Sequence, residues 1–270
     1  VTLESVFSPI RQEIAEVKRE LNLLIPAFDF PATREIVEHF ARMPGKFLRP
    51  ALVLLGAAVV DAQPTADLRK ALIRTSCAVE LIHDASLVHD DILDEDGERR
   101  GQPTINALWG TKVALLTGDL LYSRAFGLLT EVLSADLLHR VVRLNETMCG
   151  AEIEQARTLD RSLDRDEYFR IIEGKTAAFL SLCCRLGASL AGGTPSEVEA
   201  LAEFGLRFGL AFQLFDDQAD GDLRCPGVDG VAEGRASVEV ALGTLGAFPP
   251  SPAADKLRDL CRYLLAANRA

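Results

Sequence analysis

Apolar residues at Leu3, Phe7, Ile10, Ile14, Val17, Leu21 and Leu24 recur at steps of three and four, the spacing that lays one apolar stripe along an α-helix. The same spacing returns over residues 66–96, 112–133, 136–159, 166–190 and 195–220. Breakers separate the blocks: Pro64, the stretch from Gly97 to Pro103, Gly192 to Pro195, and Gly221 to Gly230. No alternating strand pattern bounded by hairpin turns interrupts them. A chain so patterned buries its apolar faces by packing helix on helix. The expectation is one all-α domain over residues 1–270, with too many helices for a simple four-helix bundle.

Composition narrows the function. With 48% apolar and 26% charged residues in 270, the chain has the make-up of a soluble protein with a substantial core. Its longest apolar run, PALVLLGAAVV from Pro50 to Val60, is shorter than the roughly 20 residues a membrane span needs. No transmembrane segment is expected. The charged, amphipathic stretch IRQEIAEVKRELNLL near the start is unlike a signal peptide. A net charge of −11 disfavours nucleic acid and anionic lipid as partners, although metal ions or local basic groups can still screen an anionic substrate. Six cysteines without a CxxC pair argue against a zinc site or a secreted disulfide framework. Reduced thiols and a cytoplasmic location are expected, with Cys183 and Cys184 as packing residues.

Two helix ends carry the chemistry. Ile82, Ser86, Asp90 and Asp94 lie four apart and descend one helix face, so Asp90, Asp91 and Asp94 are expected to present three carboxylates over a single turn. Phe204, Phe208, Phe212, Asp216 and Asp220 repeat the design, with Asp217 alongside. A helix C-terminus already carries partial negative charge, and two like charges 4 Å apart repel by about 4 kcal/mol at an effective dielectric near 20. Two such clusters of DDxxD spacing point to divalent cations. Oxygen ligands without His or Cys suit Mg²⁺, which commonly bridges a few carboxylates to substrate phosphates. A calcium-binding loop fails on spacing: from Asp216 the third position is Gln218, and the twelfth, where a Glu is needed, is Gly227.

With these motifs the sequence resembles the trans-isoprenyl diphosphate synthases, the polyprenyl synthetase family. The resemblance rests on GKFLRP (Gly45–Pro50), HDDILDED (His89–Asp96), RRGQPT (Arg99–Thr104), GDLLYSRAF (Gly118–Phe126), GKTAAF (Gly174–Phe179) and FQLFDDQAD (Phe212–Asp220), in the family's order over roughly residues 5 to 220. It implies helices around a central cavity, the two acidic motifs facing each other at its mouth, and a homodimer. It implies several Mg²⁺ ions per site, held by Asp90, Asp94 and Asp216, with Asp91, Asp217 and Asp220 ligating directly or through water. The implied substrates are an allylic diphosphate, assisted by Arg99, Lys175 and Gln213, and isopentenyl diphosphate, held by Lys46, Arg49, His83 and Arg100. Thr176 is expected to help position the allylic end. Asp90, Asp94, Lys175 and Asp216 are the expected catalytic residues of a head-to-tail condensation.

Product length in this family depends partly on bulk four or five positions before the first Asp. Here those positions hold the small residues Ala85 and Ser86, with Ile82 a turn deeper as a candidate stop, which favours a long-chain polyprenyl product over a farnesyl or geranylgeranyl one. Beyond Asp220 the chain departs from the family, which continues with a lysine-containing loop. One alignment sets CPGVDGVAEGR against that loop; the preferred one makes GVAEGRASVEVAL part of the penultimate helix. Two other functions compete. Terpene cyclases also carry DDxxD, but replace the second motif and lack the Lys46–Arg49–His83 group. A non-catalytic subunit of a heteromeric synthase commonly loses one acidic cluster, and both are present here.

Overall fold

A computed structural model of the chain describes residues 2–24, 28–43 and 45–268. Helices dominate the described residues: α1 (Leu3–Val6), α2 (Arg11–Leu24), α3 (Pro31–Ala41), α4 (Leu48–Val60), α5 (Ala66–Leu93), α6 (Ile105–Trp109) and α7 (Thr111–Thr130) come first. They are followed by α8 (Ala135–Arg157), α9 (Arg165–Ile172), α10 (Ala178–Leu190), α11 (Pro195–Asp220), α12 (Gly230–Thr244) and α13 (Pro252–Ala267). A π-helical turn, Glu173–Ala177, joins α9 to α10. The fold is all-α, as the periodicity implies. None of the described helices is long and apolar enough to cross a membrane.

Local chemistry sets the boundaries. The first periodic block is broken, because Pro9 cannot donate a backbone bond; a 3₁₀ turn, Ser8–Ile10, separates α1 from α2. α11 starts on a capping box: the Thr194 hydroxyl accepts the Glu197 N–H, and the Glu197 carboxylate accepts the Thr194 N–H at 2.8 Å. Such a cap is worth about 1 kcal/mol, and Pro195 in the first turn fits its fixed φ. The stretch GVAEGRASVEVAL is helical from Gly230, in agreement with the second of the two alignments. Among the described residues the one strand pairing is a small hairpin, β1 (Glu98–Arg99) with β2 (Gln102–Pro103), which the sequence pattern gives no sign of.

The chain divides into two compact units. One comprises Val1–Ile10, Leu52–Leu72 and Ser134–Ala270; the other comprises Arg11–Ala51 and Ile73–Leu133. In the first, α11 packs against α10 and α12. Phe204 and Phe208 are fully buried there and stack with ring centroids 6.1 Å apart, each ring contributing roughly 2–3 kcal/mol by burial. In the second, α5 buries Ile82, Ala85 and Val88. α7 approaches α5 where Gly118 leaves room for the His89 ring: a Cβ at that position would lie 2.2 Å from Nε2. All six cysteines are free thiols, and all but Cys149 are buried.

Candidate active site

The first acidic run sits in the second unit. α5 stops at Leu93, so Asp94 lies in the following turn, its N–H still bonded to the Asp90 carbonyl at 2.8 Å. Asp91 turns inward. It is 2% exposed, and its Oδ1 accepts from Arg99 Nε at 2.5 Å. Burial raises the Asp91 carboxyl above the ordinary range, against the opposing pull of Arg99. Asp90 is half-buried and Asp94 exposed.

The turn after α5 is built to deliver Arg99. Arg100 (φ 52°) and Gly101 (φ 76°) form the two-residue turn of the hairpin, with positive φ at both positions as a tight I′ turn requires. Asn106 Nδ2 donates to the carbonyls of Asp91 and Asp96, each at 3.1 Å. The Thr104 hydroxyl donates to the Asp96 carbonyl at 2.7 Å. These bonds tie the hairpin back to the end of α5, and Arg99 also lies 3.7 Å from Asp96.

The second run, in the first unit, solves the same problem with neutral donors. Asp217 accepts from the Tyr168 hydroxyl at 2.6 Å and from Gln213 Nε2 at 2.7 Å. Gln213 in turn accepts from the Thr176 hydroxyl at 2.7 Å. Burial raises the Asp217 carboxyl, while those two hydrogen bonds lower it; the Tyr168 phenol is pushed up by its own burial and then by Asp217. Asp216 and Asp220 are exposed. The chain from Thr176 through Gln213 to Asp217 starts on the π-helical turn. That turn is held close to α11: a Cβ at Gly209 would lie 2.6 Å from the Ala177 Cα.

The expected turn of three clustered carboxylates is therefore not preformed. Among the described residues no three His, Cys, Asp or Glu side chains converge closely enough to hold an ion. The reason is electrostatic: with like charges repelling, Asp91 goes to Arg99 and Asp217 to its hydroxyl and amide donors. Beside them stand the half-buried Asp90 and the exposed Asp94, Asp216 and Asp220, oxygen ligands of the kind that fit a hard cation keeping much of its water.

The basic residues fall into two groups. Lys46 is exposed, Arg49 is half-buried at the start of α4, and His83 lies on α5. Burial, then Arg49, Arg100 and Arg99, hold the His83 imidazole well below its usual range, so the ring is neutral. Its Nδ1 is buried with no hydrogen-bond partner among the described residues. Lys175, on the π-helical turn, pairs with Glu152 at 2.8 Å. Ala85 and Ile82 are fully buried, and Ser86 donates its hydroxyl to the His83 carbonyl at 2.8 Å.

Sequence reasoning missed four participants. Tyr168 lies 49 residues from Asp217, and no motif links them. Glu152 has no signal beyond being one acid among many. Glu80 and Asp84 had one: acids on the apolar approach to His83, where burial is expected.

Residues 31–222 match the family model described as polyprenyl synthetase. A short chain isoprenyl diphosphate synthase of Methanothermobacter thermautotrophicus is 35% identical over 214 residues, 75% of this chain and 64% of that protein. Component 2 of the heptaprenyl diphosphate synthase of Geobacillus stearothermophilus is 34% identical, over 81% of this chain and 67% of its own. The chain thus spans about two thirds of the curated relatives it matches. The crystal structure of a Caulobacter crescentus polyprenyl synthase complexed with calcium and isoprenyl diphosphate superposes with a TM-score of 0.85 at 24% identity, over 99% of this chain and 98% of that one.

Proposed function

The chain belongs to the polyprenyl synthetase family, and from that premise we propose that it lengthens an allylic diphosphate by head-to-tail (1′–4) condensation with isopentenyl diphosphate. The observation that carries this reading is the repeated division of labour at the two acidic helix ends. At each, one carboxylate is drawn inward by its own partner, Asp91 by Arg99 and Asp217 by Tyr168 and Gln213, and two further carboxylates of the motif flank it.

Mg²⁺ ions held by Asp90, Asp94, Asp216 and Asp220, with Asp91 and Asp217 reaching them at most through water, would supply Lewis-acid neutralisation of the leaving diphosphate. The chain's own residues do the rest. Arg99, fixed by Asp91, meets the allylic diphosphate as preorganised positive charge, and Lys175 exchanges its pairing with Glu152 for the diphosphate. Gln213 is held in one amide orientation by Thr176 and Asp217, so it meets the substrate without rotating. Lys46, Arg49 and Arg100 take the diphosphate of isopentenyl diphosphate, and neutral His83 adds a directional hydrogen bond without excess charge. Once the carbon–carbon bond forms, the proton lost from isopentenyl diphosphate goes to the departing diphosphate, which the arginines keep nearby.

The small buried Ala85 favours a long-chain product, with Ser86 beside it and Ile82 beneath. The relatives' names, from short chain to heptaprenyl, leave this to those positions. A homodimer is part of the proposal, supported by Leu115 and Leu116, which are 50% and 66% exposed on α7. The test is incubation of the protein with isopentenyl diphosphate, an allylic primer and Mg²⁺, with mass analysis of products. A ladder ending at one length supports the reading, and cyclic hydrocarbon sinks it. Turnover only after a second protein is added would make the chain a subunit of a heteromeric synthase. Ala85→Phe should shorten the final product by at least one isoprene unit; unchanged length overturns the long-chain assignment.

A further inference from the structure

A cavity of about 300 Å³ lies within the second unit, between α2, α3, α5 and α7. Its α5 wall carries Glu80 and Asp84, four residues apart and therefore on one helix face. Apolar lining comes from Phe40 on α3, from Phe47 and from Leu121 on α7. Glu80 is 5% exposed, and its Oε2 has no hydrogen-bond partner among the described residues. A buried carboxylate oxygen left without a donor opposes folding, so this arrangement is not there to stabilise the chain.

Cations surround the pair from α2, α4, the turn after α3 and the hairpin. Lys18 on α2, Arg42 after α3, and Arg99 and Arg100 in the hairpin line the cavity. Arg49 on α4 and Arg100 act on both carboxyls, and Lys18 acts on Glu80. His83, within the same turn of α5, is neutral. Burial pushes Glu80 up to about 7 and Asp84 well above the carboxylate range, with Glu80 adding to the rise at Asp84 while the arginines resist it. The pair thus lies among cations that belong to the proposed substrate site.

We propose that Glu80 and Asp84 are positioning residues: they balance Arg49 and Arg100 while no diphosphate is bound, and the pair takes up one proton from solvent when a diphosphate engages those arginines. The inference rests on the assignment of Arg49 and Arg100 to isopentenyl diphosphate. Its physical basis is competition for the same two guanidinium groups. A bound diphosphate both occupies them and adds negative charge next to the carboxyls, and each change favours the protonated acid. The proton forms an O–H bond on one carboxyl, and the released guanidinium charge is then directed wholly at the substrate.

The test is calorimetry of isopentenyl diphosphate binding to the full chain at pH 8, with the primer omitted so that nothing turns over, in HEPES and in Tris. These buffers differ in ionisation heat, so the difference in observed enthalpy counts protons. Uptake near one per site is expected for the wild type, and Asp84→Glu should retain it. Glu80→Gln and Asp84→Asn should lower uptake to under about a third of a proton. Wild-type affinity should fall by up to about tenfold per pH unit above pH 7, and that slope should flatten in both amide variants. Arg49→Ala and Arg100→Ala should each weaken binding at least about tenfold. Undiminished binding to these two would overturn the substrate assignment. Arginine-dependent binding with equal heats in both buffers, or with uptake unchanged in the amide variants, would overturn the role of the pair alone.

Discussion

The ends of α5 and α11 carry the same DDxxD spacing and hold it in different ways. At α5 the inward carboxylate, Asp91, meets a full positive charge on Arg99. At α11 its counterpart, Asp217, meets a phenol and an amide, neither of which is charged. One carboxylate of the α5 end is thus paired with a cation before any substrate arrives. At the α11 end the hydrogen bonds that orient the inward carboxylate come from neutral groups. Shared spacing therefore fixes which carboxylates flank the inward one, while the inward partner decides how much charge is left for a cation to meet.

The largest effects should be alike at the two ends. Asp90→Asn and Asp216→Asn each remove a proposed metal ligand and should lower kcat by about 10²–10³-fold, measured at saturating Mg²⁺. A difference of more than tenfold between them would show that one end alone holds the reacting diphosphate. The next effect should separate them. Arg99→Ala leaves Asp91 buried and unpaired, which should cost about 3–5 kcal/mol of stability. Tyr168→Phe removes one of two neutral donors and should cost about 1–3 kcal/mol. Urea unfolding of the two variants checks the order, and equal losses would erase the distinction between charged and neutral partners.

The smallest effect is a pH slope on the α5 side. Glu80 titrates near 7 in the folded chain against an ordinary 4.5. Its contribution to stability is therefore fully present below about pH 4.5 and is lost as pH rises through 7. Glu80→Gln should flatten the decline in Tm between pH 5 and pH 8. A wild-type Tm that rises over that window would contradict the assignment.

The helices were legible because an apolar stripe at 3.6-residue period needs only local information, and the second helix-end motif sits where that pattern stops, at Gly221. The partners of the inward carboxylates were not equally legible. Arg99 is eight residues from Asp91 and inside a recognisable motif. Tyr168 reaches Asp217 across 49 residues, through tertiary packing that no spacing rule encodes. The hairpin of residues 98–103 escaped notice because it is two residues long on each side, and its turn uses an arginine at positive φ. The inward turn of Asp91 to Arg99 is not legible either, since sequence spacing gives the face of a helix and not the attraction of a cation beyond its end.

The π-helical turn at Glu173–Ala177 has a further implication. One surplus residue in a helical rod advances everything after it by about 100°. The faces of α9 and α10 are thus out of phase by design, and Lys175 and Thr176 point where an unbroken helix would not send them. Removing a single amino acid from this stretch would leave composition and helicity almost untouched, yet rotate α10 by more than a quarter turn and strip Gln213 of its Thr176 donor.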